Sequence, residues 1–175
     1  MAPFNVLFLC TGNSARSIMA EALLRDLGDE RLGAFSAGSR PLGTVHPLAL
    51  EALERAGVAT AGLHSKGFET FAGSTAPTLD LVITVCDRAA NDPCPLWPGA
   101  PALGHWSLPD PAALTGSDAQ RRRGFDATLA ALCRRVAALV ALPLDDLLED
   151  TRGLGARVSA IDAAPGASQG ATGHG

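Results

Sequence analysis

The stretch that decides the reading is "NVLFLCTGNSARSIMAEALL", residues 5 to 24. Asn5 to Leu9 is a short apolar run, the pattern of a strand buried on both faces. Ser17 to Leu27 reads as a helix, with Glu21 and Arg25 one turn apart and Gly28 closing it. Between strand and helix stands Cys10, five small or polar residues (Thr11, Gly12, Asn13, Ser14, Ala15), then Arg16 and Ser17. Small residues let the backbone curl so that successive N–H groups point inward. With the start of the helix, they make a cradle for a tetrahedral oxyanion. Arg16 adds a planar fork for two of its oxygens. The same positive surroundings favour the thiolate of Cys10. Ser17 is placed to hydrogen-bond that sulfur, and Asn13 to lock the loop through its side-chain amide.

Outward from this stretch, strands and helices alternate. Ala34 to Gly38 reads as a second strand and His46 to Ala56 as a helix, with Pro47 in its first turn and Gly57 past its end. Leu79 to Val85 is a third buried strand and Leu103 to Trp106 a weaker fourth. Asp118 to Leu142 is a long amphipathic helix with a stripe of Phe125, Leu129, Leu132, Val136 and Leu139, ended by Pro143. The alternation predicts an α/β fold: a four-stranded parallel sheet flanked by helices, in three layers. Right-handed crossovers then put the loops after strands one, three and four at one sheet end. Those loops carry Cys10, Cys86 and Asp110. The expected organisation is one domain over residues 1–150 and a flexible tail over 151–175, which is rich in Gly, Ala and Ser.

The totals exclude several classes. A formal net charge of -4 argues against a partner of nucleic acid or an anionic membrane surface. No run approaches the ~18 apolar residues of a membrane span, and no basic leader precedes the first strand. The expected location is cytoplasmic. The cysteines are Cys10, Cys86, Cys94 and Cys133. In a reducing compartment, thiols serve catalysis, redox chemistry or metal binding more often than stapling. No Cys-x2-Cys pair occurs and the histidines fall at no ligand spacing, so no metal and no cofactor is expected.

The segment "VLFLCTGNSARSIMAEALL" resembles the opening of low-molecular-weight protein tyrosine phosphatases and of the arsenate reductases sharing their fold. Ser36-Ala37-Gly38 and His64-Ser65-Lys66 extend the similarity, which spans roughly residues 5 to 142. It implies the low-molecular-weight phosphatase-like fold and an oxyanion site over Thr11 to Ser17. The cradle itself does not separate phosphatase from reductase. The chemistry after attack does: a phosphatase hydrolyses its cysteine adduct with water, whereas a reductase needs a second thiol.

"VITVCDRAANDPCPLWPG", residues 82 to 99, supplies two. Cys86 ends the third strand and should face the cradle. Cys94 lies eight residues on, and exchange requires the sulfurs to meet in line. This segment resembles the redox segment of thioredoxin-coupled arsenate reductases. The resemblance implies attack on arsenate by Cys10, attack by Cys86 on Cys10 with release of arsenite, then attack by Cys94 on Cys86. It further implies thioredoxin, or a glutaredoxin with a low-molecular-weight thiol, as reductant. Ala15 stands where many relatives have a further cysteine, so no protective bridge from Cys10 to that position exists. The spacing between Cys86 and Cys94 is one residue longer than in some relatives.

Asp110-Pro111 follows the fourth strand. Asp-Pro is a common turn dipeptide. In the family it resembles, a late Asp-Pro supplies the general acid, which protonates a leaving oxygen. Ala112 and Ala113 follow where the phosphatases usually have an aromatic residue, and the chain has no tyrosine. The reading is therefore an arsenate reductase with catalytic Cys10, Arg16, Cys86, Cys94 and Asp110; the alternative is a low-molecular-weight protein tyrosine phosphatase. Cys133, His46 and His105 are read as structural, and Trp97 and Trp106 as core.

Overall fold

The computed structural model describes residues 3–87, 89, 97–147 and 149–162. Strand β1 (Phe4–Cys10) runs through the centre with all seven residues buried. β2 (Leu32–Gly38), β3 (Leu81–Thr84) and β4 (Ala102–His105) complete a parallel sheet in the order β2-β1-β3-β4. The order follows from right-handed crossovers laid first to one side of β1 and then to the other. Leu9 pairs with Thr84, which pairs with His105, so all three strands end at one edge.

The strand period of two divides the core. Phe4, Val6, Phe8 and Cys10 of β1 face the larger cluster, which holds helices α1 (Arg16–Leu27), α2 (Pro47–Arg55) and α3 (Asp118–Val140). Leu7 and Leu9 face a smaller cluster with Phe71 and Trp97. Phe71 belongs to a 3-10 turn, Phe68–Phe71, that the periodicity did not mark. Trp106 is fully buried against Phe8, ring centroids 5.9 Å apart, and serves the core. Helix α3 starts where the sequence places it. Ser117 accepts from Gln120 N and the Gln120 side chain accepts from Ser117 N, a reciprocal cap.

The first part of the expected tail is not flexible: Thr151–Asp162 is a helix, α5, which follows the short α4 (Leu144–Leu147). Leu154 and Val158 are fully buried and Ile161 packs beside them, a stripe at helical spacing. Small residues make the contact possible. A Cβ on Gly155 would lie 2.3 Å from Leu103 O, and one on Gly104 2.7 Å from Val158 Cγ1. Gly155, which lowers helix propensity, lets α5 settle on β4, and packing outweighs propensity. Residues 163–175 lie outside the described set.

Because Leu154 is enclosed, Leu154→Ala is expected to cost about 2–5 kcal/mol of unfolding free energy. Urea titration reads this directly. A mobile segment would give no change.

Candidate active site

The loop from Cys10 to Arg16 is built by where its carbonyls go. Cys10 O accepts from Ser39 N, Thr11 O from Arg40 N, Gly12 O from Leu42 N and Ser14 O from His46 N. The strand leaving β2 thus takes up the outward carbonyls. On the other side of the curl, Asn13 N donates to the Cys10 sulfur at 3.2 Å. Gly38 admits this close approach: a Cβ there would lie 2.5 Å from Thr11 O.

Asn13 carries the bend with φ at +44°, a left-handed conformation that Asn tolerates better than most residues. It is fully buried and spends every side-chain group. Its amide donates to Ser17 Oγ at 2.8 Å and to Ser36 Oγ at 3.0 Å, while Oδ1 accepts from Lys66 N at 2.9 Å. Ser17 Oγ lies 2.8 Å from Cys10 Sγ. Ser36 Oγ donates onward to Glu21, which is buried and flanked by Lys66 at 3.7 Å and Arg25 at 3.3 Å. Burial pushes the Lys66 ammonium down from its ordinary range, the Glu21 carboxylate works against this, and Arg25 adds to the depression.

Arg16 spans the loop and the acid segment. It donates to Leu108 O at 2.8 Å and stands 3.8 Å from the Asp110 carboxylate. Asp110 also caps the 3-10 turn Pro111–Ala113 by accepting from Ala112 N. Cys10, Arg16 and Asp110 share a pocket of about 90 Å3, completed by Gly12, Leu42, His46 and Ala112. Of those wall residues, Leu42 had no sequence signal, His46 read only as a helix cap, and Ala112 was marked by its place after Asp110-Pro111. His46 is indeed the cap of α2: its Nδ1 accepts from Leu48 N at 3.1 Å. Burial lowers its pKa, with Arg121 adding to the effect and Asp110 opposing it.

Cys86 is buried one residue past Val85, whose N donates to Leu9 O. The register therefore sets it beside the loop, with Sγ 3.8 Å from Thr11 Oγ1 and 3.3 Å from Ala89 N. Cys94 lies outside the described residues. Cys133 sits on α3, half-buried at a groove between α1, α2 and α3, away from these groups. Among the described residues no group of side chains forms a metal cluster, and no helix is long and apolar enough to cross a membrane.

Two outcomes follow from this geometry. Asn13→Ala removes three hydrogen bonds and disfavours the positive φ. Alkylation of Cys10 is expected to slow about tenfold and stability to fall by about 2–4 kcal/mol; unchanged values would show that the loop holds without it. The second concerns pH. His46 caps α2 only when neutral, and its folded pKa lies below its unfolded value near ~6.5. The unfolded chain therefore binds the proton first, so stability is full above that value and is lost as pH falls from it. His46→Asn, which keeps a capping oxygen, should flatten the decline between about pH 7 and 5 in urea titrations.

Comparison with known proteins agrees with this architecture. The family model described as low molecular weight phosphotyrosine protein phosphatase matches residues 5–152. An arsenate reductase of Staphylococcus xylosus is 36% identical over 118 residues, 67% of this chain and 86% of that protein. A solved arsenate reductase in an oxidized state superposes with a TM-score of 0.64 at 29% identity, covering 78% of this chain and 96% of the other. A thioredoxin-dependent arsenate reductase of Corynebacterium glutamicum superposes with a TM-score of 0.52 at 26% identity, covering 79% and 64%. The chain belongs to the low molecular weight phosphotyrosine protein phosphatase family, and its similarity within that family runs to arsenate reductases.

Proposed function

We propose that this enzyme reduces arsenate to arsenite with Cys10 as nucleophile and Cys86 and Cys94 as its redox relay. The observation that carries the reading is the second buried thiol, Cys86, at the rim of the oxyanion loop and in contact with Thr11. A second thiol there is what a reductase needs once Cys10 has attacked arsenic.

The chemistry balances in three steps. The Cys10 thiolate attacks arsenic and displaces one oxygen, which leaves as water with protons from Asp110 and solvent. Loop amides and Arg16 hold the remaining oxygens. The Cys86 thiolate then attacks Cys10 Sγ. The S–As bond breaks, its electron pair stays on arsenic, and arsenite departs from a Cys10–Cys86 disulfide. Finally the Cys94 thiolate attacks Cys86 Sγ and frees Cys10 as thiolate. The Cys86–Cys94 disulfide is reset by an external dithiol: thioredoxin, or a glutaredoxin with a low-molecular-weight thiol. The Corynebacterium relative, described as thioredoxin-dependent, favours the first.

The shape of the pocket points the same way. About 90 Å3 walled by Leu42 and Ala112 suits a bare tetrahedral anion. Phosphatase chemistry shares the first step and is favoured by the Arg16–Asp110 pairing. It has Ala112 and Ala113, not an aromatic slot, beside the acid.

The test maps disulfides by mass spectrometry after one turnover with arsenate. The wild type should carry a Cys86–Cys94 bridge, and Cys94→Ser should trap Cys10–Cys86. Intact hydrolysis of an aryl phosphate with no arsenate-dependent bridge would transfer the assignment to the phosphatase.

A further inference from the structure

Cys86 is held from both sides in sequence. Val85, before it, is bonded to β1 through Leu9 O. Asp87, after it, is gripped by β4 and the residues that follow. His105 Nε2 lies 2.9 Å from Asp87 Oδ1, and Ser107 Oγ donates to the same oxygen at 2.9 Å. The other ring nitrogen of His105 lies 2.6 Å from Thr84 Oγ1, on the neighbouring strand. A proton on Nε2 satisfies both contacts: the ring donates to Asp87 and accepts from Thr84. Asp87 is 74% exposed, so each bond alone is modest. Together the bonds join Thr84, Asp87, His105 and Ser107 at the edge where the sheet meets the oxyanion loop.

The clasp is braced by the C-terminal helix. His105 N donates to Ser159 Oγ at 3.1 Å, Trp106 Nε1 to Val158 O at 2.9 Å, and Ser107 N to Asp162 Oδ2 at 3.0 Å. Arg135 of α3 holds the same Asp162 from the other side at 2.8 Å. Three consecutive residues of the clasp segment are thus fixed to a helix lying almost wholly beyond residue 152, where the family match ends.

We propose that His105 is a positioning residue for the second thiol: with Thr84 and Ser107 it clasps Asp87 to β4, braced by α5, and so holds Cys86 at the rim of the oxyanion loop. The physical need is specific. A thiol that must attack another sulfur in line loses rate if its backbone swings. Hydrogen bonds from His105 and then Ser107, with the nearby Arg16 guanidinium, hold the Asp87 carboxyl below its ordinary range, so it stays the ionised acceptor of the clasp. This role rests on the relay proposed above.

The test is alkylation of the reduced protein by iodoacetamide, read separately at Cys10 and Cys86 by peptide mass spectrometry, in wild type, His105→Asn, Asp87→Ala and the double variant. Releasing the clasp is expected to raise Cys86 alkylation about tenfold, a 1.4 kcal/mol change in opening. Cys10 should be unaffected, and the double variant should match either single one. In a Cys94→Ser background, arsenate-driven Cys10–Cys86 bridging should slow by a similar factor while aryl phosphate hydrolysis holds. Unchanged Cys86 alkylation, or additive effects in the double variant, would overturn the proposal. If His105→Asn loses its cooperative thermal transition, Asp87→Ala carries the test with the same criteria. Alkylation is read without arsenate, so its failure leaves the reductase reading standing. A wild type that forms no arsenate-dependent bridge overturns the reductase reading, and the clasp's role with it.

Discussion

The structure depends on a one-sided curl of backbone. Between Cys10 and Arg16 the carbonyls of Cys10, Thr11, Gly12 and Ser14 are paired with the chain leaving β2, and the Asn13 amide turns to the Cys10 sulfur. A buried peptide group must be bonded on both sides. With one side taken by protein, the other is left to face an anion such as the tetrahedral oxyanion of the proposed reaction. The residues around the loop enforce this polarity. Gly38 lets β2 come close enough, Asn13 accepts the left-handed bend, and Ser17, Ser36 and the amide of Lys66 hold Asn13 in place.

The sheet then decides what stands next to the loop. Because β3 and β4 follow β1 on one side in parallel, their ends deliver Cys86 and the Asp110 segment to the edge where Cys10 sits. Arg16 closes the arrangement by bonding Leu108 and facing Asp110. An acid, a fork and two thiols from four segments meet with no metal ligand set among the described residues. The proposed relay uses attack by sulfur on a tetrahedral centre, followed by attack of sulfur on sulfur.

Much of this was legible in the sequence because it is local. The apolar run before Cys10, the small residues after it and Arg16 at the helix start express loop and helix in one stretch. The parallel order followed from alternation, and placed Cys86 and Asp110 at the same edge. What escaped was non-local. Residues 151–162 read as a tail because Gly153 and Gly155 depress helix propensity and large apolar residues are few. Only the glycine contact with β4 shows why those residues are there. The Thr84–Asp87–His105–Ser107 cluster draws on separate segments, each with an ordinary local reading, so no periodicity or motif announces it. Leu42 and His46 line the pocket because their backbones pair with loop carbonyls, a register that residue types do not encode.

The central claim, that a second thiol drives electrons onto arsenic, is tested most directly by following arsenite release in a single turnover without external reductant. Prereduced wild type should release about one equivalent of arsenite per chain, and Cys86→Ser should release none while still hydrolysing an aryl phosphate. Arsenite release by Cys86→Ser at the wild-type rate would contradict the account.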